Sequence, residues 1–186
     1  GGLPAWLFAS DMRIRDNDPA YLRQVSAWYD RILPLLREHS ATRGGCVIAV
    51  QLENELDFYS GTRDRPGYIT ALRDMAQKHG MDVPLLCCSG QSGLTASGAL
   101  AQGVFPAMNF YPLPGDRLFG EKVRFFQKWL YERGLPLLVT ETNRGHHFLR
   151  FLMLLGARLL GPYNQAGGTD FGYTTAVNNW GAPLSF

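Results

Sequence analysis

The chain has 186 residues, 46% of them hydrophobic and 18% charged, with a formal net charge of +2. That balance fits one globular domain with a sizeable core, and the charge is too small to point to nucleic acid or an anionic membrane as a partner. No run of eighteen apolar residues occurs to span a membrane, and three cysteines do not make a disulfide framework.

Cys46, Cys87 and Cys88 lie in apolar, strand-like runs and read as buried thiols. His39, His79, His146 and His147 show no metal-ligand spacing with Cys or Asp, so neither a metal nor a cofactor is expected. The chain opens on GGLPAWL without a Met or a signal peptide and closes on GAPLSF, which reads as a piece of a longer protein cut at both ends.

In chain order, residues 1–18 form a loop-rich entry with an apolar patch from Leu3 to Phe8. Asp18 followed by Pro19 is an N-cap with proline at the first helical position. Leu22, Val25, Trp28, Tyr29, Ile32 and Leu36 then recur at steps of three and four, one face of an amphipathic helix that Pro34 should kink. Gly44–Gly45 leads into a strand at about 46–52 whose apolar run suits burial on both faces. A helix over 67–79 follows, with Tyr68, Leu72, Met75 and Ala76 inward and Gly80 as its stop.

Residues 84–89 (PLLCCS) read as a second strand, and a short helix is expected near 97–102. The intervening GQSGL lacks the spacing of a nucleophile elbow, because Leu94 stands where the last glycine should be. Residues 104–111 (VFPAMNFY) form a third strand containing Pro106. Asp116 caps a helix in which Phe119, Val123, Phe126 and Leu130 share a face, ended by Gly134. Residues 135–141 (LPLLVTE) form a fourth strand, 146–157 a helix and 159–165 a fifth strand, before a glycine-rich loop. Alternation of strand and helix with short connections means an α/β fold with parallel strands. It is either an open doubly wound sheet or part of a (β/α)8 TIM barrel; no G-x-G-x-x-G follows a strand, against a dinucleotide fold.

Two strands end in glutamates, Glu55 and Glu141, and Glu53, Asn54 and Asp57 cluster with the first. Buried carboxylates are costly unless paired or used, and α/β folds bind ligands at the carboxyl ends of strands. A solvated acidic loop is the plainer alternative. Strand alternation places Gln51, Glu53 and Glu55 on one side of a barrel mouth. Two carboxyl groups facing across such a mouth are equipped to cleave a glycosidic bond, one donating a proton and the other attacking as an anion. Phe58, Tyr59, Tyr111, Phe171 and Tyr173 are either faces for a sugar ring or packing.

The blocks GGLPAWL, CVIAVQLENE, LPLLVTE and GGTDFG, with a long helix after the first, resemble glycoside hydrolase family 35, the β-galactosidase family, in order and spacing over nearly the whole chain. The QLENE and GGTDFG blocks together make the resemblance fairly specific. It implies a (β/α)8 catalytic barrel followed by β-rich domains. This chain would supply strands four to eight with their helices, residues 1–186 being the C-terminal part of one catalytic domain. It also implies a retaining glycoside hydrolase that cleaves terminal β-galactosides by double displacement.

By the same resemblance Glu55 matches the acid/base, Glu141 the nucleophile, and Asn54 the residue that hydrogen-bonds the sugar 2-hydroxyl. Glu53, Asn143, Tyr111 and Tyr173 are further substrate-binding candidates. Glu53 either tunes the charge of Glu55 or pairs with a barrel Arg or Lys. Asn54 and Glu55 are adjacent, so the chain must leave the regular pleat there if both are to reach one sugar. The implied partners are a β-galactoside or related oligosaccharide, and the remaining barrel strands and β-rich domains of the parent chain. Asn143 and His146 stand where the family usually carries Tyr and Trp, and Asp170 replaces a common Asn. The acid usual before the first Gly-Gly lies outside the chain. These differences leave open a glycosidase of other sugar specificity, or a carbohydrate-binding relative that has lost catalysis. A barrel lacking three strands exposes two edges, so the 186 residues alone are expected to be inactive and poorly soluble.

Overall fold

A computed structural model describes residues 3–90, 93–113 and 115–163, together with the two-residue strands β6 (Thr169–Asp170) and β7 (Thr174–Thr175). Five parallel strands form one sheet in the order β1 (Val50–Asn54), β2 (Leu85–Ser89), β3 (Phe105–Phe110), β4 (Leu137–Thr142) and β5 (Ala157–Pro162). Strands adjacent in sequence are adjacent in space, and the arrangement is that of an α/β fold consistent with part of a TIM barrel. The separate pair β6–β7 is antiparallel.

Local chemistry explains the helices. Helix α2 (Pro19–Glu38) begins where the Asp18 carboxylate accepts from the Ala20 and Tyr21 N–H groups, a cap worth about 1 kcal/mol. It continues through Pro34 to Glu38. Tyr21 and Leu33 are buried, while Trp28, expected on the inward face, is exposed. Helix α3 (Arg65–Lys78) is capped by Asp64, buries Tyr68, Ile69, Leu72 and Ala76, and stops at Gly80, whose positive φ of 72° suits glycine. Helix α4 (Phe119–Tyr131) buries Phe119, Val123 and Leu130. Helix α5 (His146–Leu154) links β4 to β5, and a four-residue helix α1 (Ala5–Phe8) lies within the entry loop.

The sequence reading needs several corrections. The first strand starts at Val50 instead of 46 and lies at the sheet edge among the described residues, so it is only half-buried; β2 and β3 are the buried strands. Cys46 is consequently exposed, unlike Cys87 and Cys88. Residues 94–100 form turns in place of a helix. Asp116 is not the cap of α4: Leu118 holds that position, and Asp116 accepts from its N–H two residues earlier. Helix α5 stops at Leu154, because Gly156 turns the chain with φ 94° into β5, which claims Ala157.

Most buried side chains form one core between the sheet and its helices, including Leu72, Met108, Phe110, Val123, Val139 and Leu152. A smaller cluster of Leu33, Ala76, Met81, Val83 and Leu85 lies where α2 and α3 meet the start of β2. Because every pair in this sheet is parallel, the carboxyl ends of its strands share one edge.

Candidate active site

The carboxyl ends of β1, β3 and β4 bring together Asn54, Glu55, Asn109, Tyr111 and Glu141. Glu55 and Glu141 arrive by departures from regular strand geometry. Glu55 has left-handed backbone (φ 54°, ψ 42°) and opens the 3-10 turn Leu56–Phe58. A non-glycine residue is uncommon there, and the conformation costs of order 1–3 kcal/mol. It turns the chain out of the pleat, so Asn54 and Glu55, which strict alternation would point apart, both reach the Asn109 amide.

At β4 the register with β3 shifts between Met108 and Asn109, so Thr140 is an extra residue and Glu141 falls opposite Asn109. This bulge aims Thr140 and Glu141 at the same side chain. The backbone of β5 passes so close that a Cβ on Gly161 would strike the Thr140 carbonyl.

Asn109 is fully buried and makes the central contacts. Its Nδ2 lies 2.8 Å from Glu55 Oε1, 3.2 Å from Glu141 Oε2 and 3.2 Å from Asn54 Oδ1. The two glutamate oxygens therefore stand no farther apart than the sum of their distances to that nitrogen, 6.0 Å. On the other side, Asn109 Oδ1 accepts from the Cys88 thiol at 2.8 Å and from the Thr140 hydroxyl at 3.3 Å. Burial, with the Glu55 and Glu141 charges nearby, pushes the Cys88 thiol up to about 12, so it remains a donor. The Tyr111 hydroxyl donates to Glu141 Oε1. Burial, then that bond and the neighbouring charges, push the Tyr111 phenol above its ordinary range. Tyr111 also meets Tyr163 edge-on, with ring centroids 6.4 Å apart.

The expected row of Gln51, Glu53 and Glu55 does not form. The register of β1 with β2 shifts between Gln51 and Glu53. Gln51 bonds Asn54 at 3.1 Å, while both oxygens of Glu53 face Arg15, at 2.6 and 3.3 Å. Of the two roles open to Glu53, the structure favours the pairing with Arg. Asp57 faces β2, accepting from the Gly90 N–H at 2.9 Å. Asn143 reaches back to the Pro112 carbonyl at 3.4 Å. Tyr173 and Phe171 lie outside the described residues. Tyr59 packs under the Arg15 guanidinium, 5.2 Å from its ring centroid, and Phe58 is exposed. Among the described residues, no group of three or more His, Cys, Asp or Glu side chains is placed to hold a metal ion.

Comparison with known proteins gives the family of the chain. The profile of glycosyl hydrolases family 35 matches residues 1–185. The chain belongs to that family.

Similar proteins include a beta-galactosidase of Xanthomonas manihotis, 28% identical over 190 residues, with 96% of this chain and 31% of that protein covered. Beta-galactosidase 17 of Arabidopsis thaliana is 31% identical over 202 residues, covering 96% of this chain and 28% of the relative. The beta-galactosidase of Bos taurus is 31% identical over 194 residues, covering 96% and 29%. The chain thus spans about three tenths of the length of these relatives. Asn143 lies two residues after Glu141, and an aromatic hydroxyl reaches Glu141 from Tyr111 after β3.

Sequence reasoning missed Asn109 and the donor role of Cys88. The available signal was Asn109 itself, a polar side chain in the otherwise apolar VFPAMNF run. A buried polar group of this kind needs partners.

Proposed function

We propose that the protein of which these residues form part is a retaining glycoside hydrolase acting on terminal β-galactosides. Strands β1 to β5 are read as barrel strands four to eight, and residues 1–186 as the C-terminal part of the catalytic domain. The observation that carries the reading is the single amide nitrogen within 2.8 and 3.2 Å of the two glutamates. The resulting limit of 6.0 Å on that oxygen pair suits retaining enzymes, whose carboxyl groups stand about 5–5.5 Å apart, better than inverting ones at about 6.5–9.5 Å. Membership of family 35, and the names of the similar proteins, support the substrate class.

Glu141 attacks the anomeric carbon as an anion, while Glu55 gives its proton to the departing glycosidic oxygen. Glu55, now anionic, takes a proton from water as that water attacks the anomeric carbon and releases Glu141. Donors aimed at a carboxylate solvate its charged form. Glu141, with Tyr111 and Asn109 both directed at it, is the better equipped of the two to attack as an anion. Asn54, held by Gln51 and Asn109, is assigned to the sugar 2-hydroxyl.

The test is Glu141→Gln in the full natural chain, assayed with a chromogenic β-galactoside. Turnover is expected to vanish, and the parent protein should release the β-anomer first by NMR. Undiminished turnover, or first release of the α-anomer, overturns the reading.

A further inference from the structure

We propose that Asn109 is a positioning residue that holds the two glutamates at one spacing and follows the negative charge between them with a single shared amide. This rests on the roles proposed for Glu55 and Glu141. The two glutamates stand at the ends of β1 and β4, with β2 and β3 between, so no direct strand pairing sets their gap. Asn109, on β3, contacts both.

The orientation of the Asn109 side chain follows from chemistry. Carboxylates accept hydrogen bonds, so the face toward Glu55 and Glu141 must be the NH2 group. The opposite face meets a thiol and a hydroxyl, both able to donate, so it must be the carbonyl oxygen. A reversed amide would set oxygen against three acceptors in a fully buried site.

Two amide hydrogens face three acceptors, so they are shared. In the resting enzyme the anion is Glu141; in the glycosyl-enzyme Glu141 is esterified and Glu55 carries the charge. A donor already within reach of both oxygens can serve each anion in turn without moving the side chain. Such preorganisation avoids a reorganisation cost at the moment of reaction.

The experiment compares Asn109→Leu and Asn109→Ala with the parent in the full natural chain. The ionisable groups around the amide are Glu55 and Asp57 after β1, Cys88 on β2, Tyr111 after β3, Glu141 on β4 and Tyr163 after β5. Expected is a fall in kcat of about 10- to 100-fold, the usual worth of a hydrogen bond to a charged group. Both limbs of the kcat/KM pH profile should also move to higher pH, since a carboxyl group stripped of an N–H donor holds its proton more tightly.

Activity within about two-fold of the parent overturns the proposal, as does lost activity with unmoved limbs, which a merely structural role would produce. If neither variant melts cooperatively, Cys88→Ala decides, because it keeps Asn109 but removes one of the groups fixing its amide. The same displacement, smaller, supports the proposal, and unmoved limbs overturn it. An active Glu141→Gln would instead sink the glycosidase reading. An inactive Glu141→Gln with unmoved limbs in the Asn109 variants sinks only this inference.

Discussion

Arg15 holds Glu53 through two N–H···O contacts, at 2.6 and 3.3 Å, across thirty-eight positions of sequence. The same guanidinium donates to the Asn54 carbonyl at 2.7 Å, while the Asn54 N–H donates to Glu53 at 2.7 Å. Arg15 itself sits at φ 52°, so the strand end beside Glu55 is clamped by a residue in strained backbone. Arg15→Ala would leave the Glu53 side chain, only 9% exposed, without its cation. Breaking a fully buried pair costs about 3–5 kcal/mol, and partial exposure here lowers the expected loss to about 2 kcal/mol. Urea unfolding measures it, and the double variant Arg15→Met/Glu53→Met should recover part of the loss.

Among the described residues, Asn109 and Tyr111 donate to Glu141, and Tyr111→Phe removes one of these donors while keeping the ring against Tyr163. A hydrogen bond to a charged group is worth about 1.5–3 kcal/mol, so kcat should fall about 10- to 100-fold with KM little changed. Because burial and the bond to Glu141 push the phenol upward, no alkaline limb of the parent profile belongs to Tyr111. Steady-state kinetics across pH check both statements.

Gly161→Ala should act through β4. The new methyl would collide with the Thr140 carbonyl at the bulge and push β5 away. Overpacking typically costs about 1–3 kcal/mol, and here it also displaces Thr140 from Asn109. The expected outcome is a lower melting temperature together with reduced kcat; an unchanged melt would contradict the close approach of the two strands.

Asp16 makes stability depend on acid. Its carboxylate, 1% exposed, accepts from the Asn17, Arg63 and Asp64 N–H groups and from the Arg13 guanidinium. Burial opposes its charge, but these bonds outweigh burial and hold it below the usual carboxylate range. A depressed folded-state value means the stabilisation is fully present above the ordinary value near pH 4. It is lost as pH falls through the folded one. Asp16→Ala should cost about 2 kcal/mol at pH 7 and progressively less in strong acid, as read from urea midpoints between pH 2 and 7.

The alternation of apolar strands and amphipathic helices was legible from residue order, because periodicity and caps such as Asp18 and Gly80 act over neighbouring residues. So were Glu55 and Glu141, since acids ending apolar runs stand out in a linear reading. Which strand lay at an edge among the described residues was not legible: the run at 46–52 reads as apolar as PLLCCS at 84–89, and only pairing distinguishes them. Local pattern also misplaced Glu53, because parity assumes an unbroken pleat and the chain has a register shift at Leu52 and a left-handed turn at Glu55. Asn109 shows the limit of the linear reading. Its polarity was visible, but its partners come from three other strand ends and meet it only when the sheet is assembled. A contact among residues 54, 88, 109 and 141 depends on distances that chain order does not encode, so the packing of helices on the sheet had to decide it.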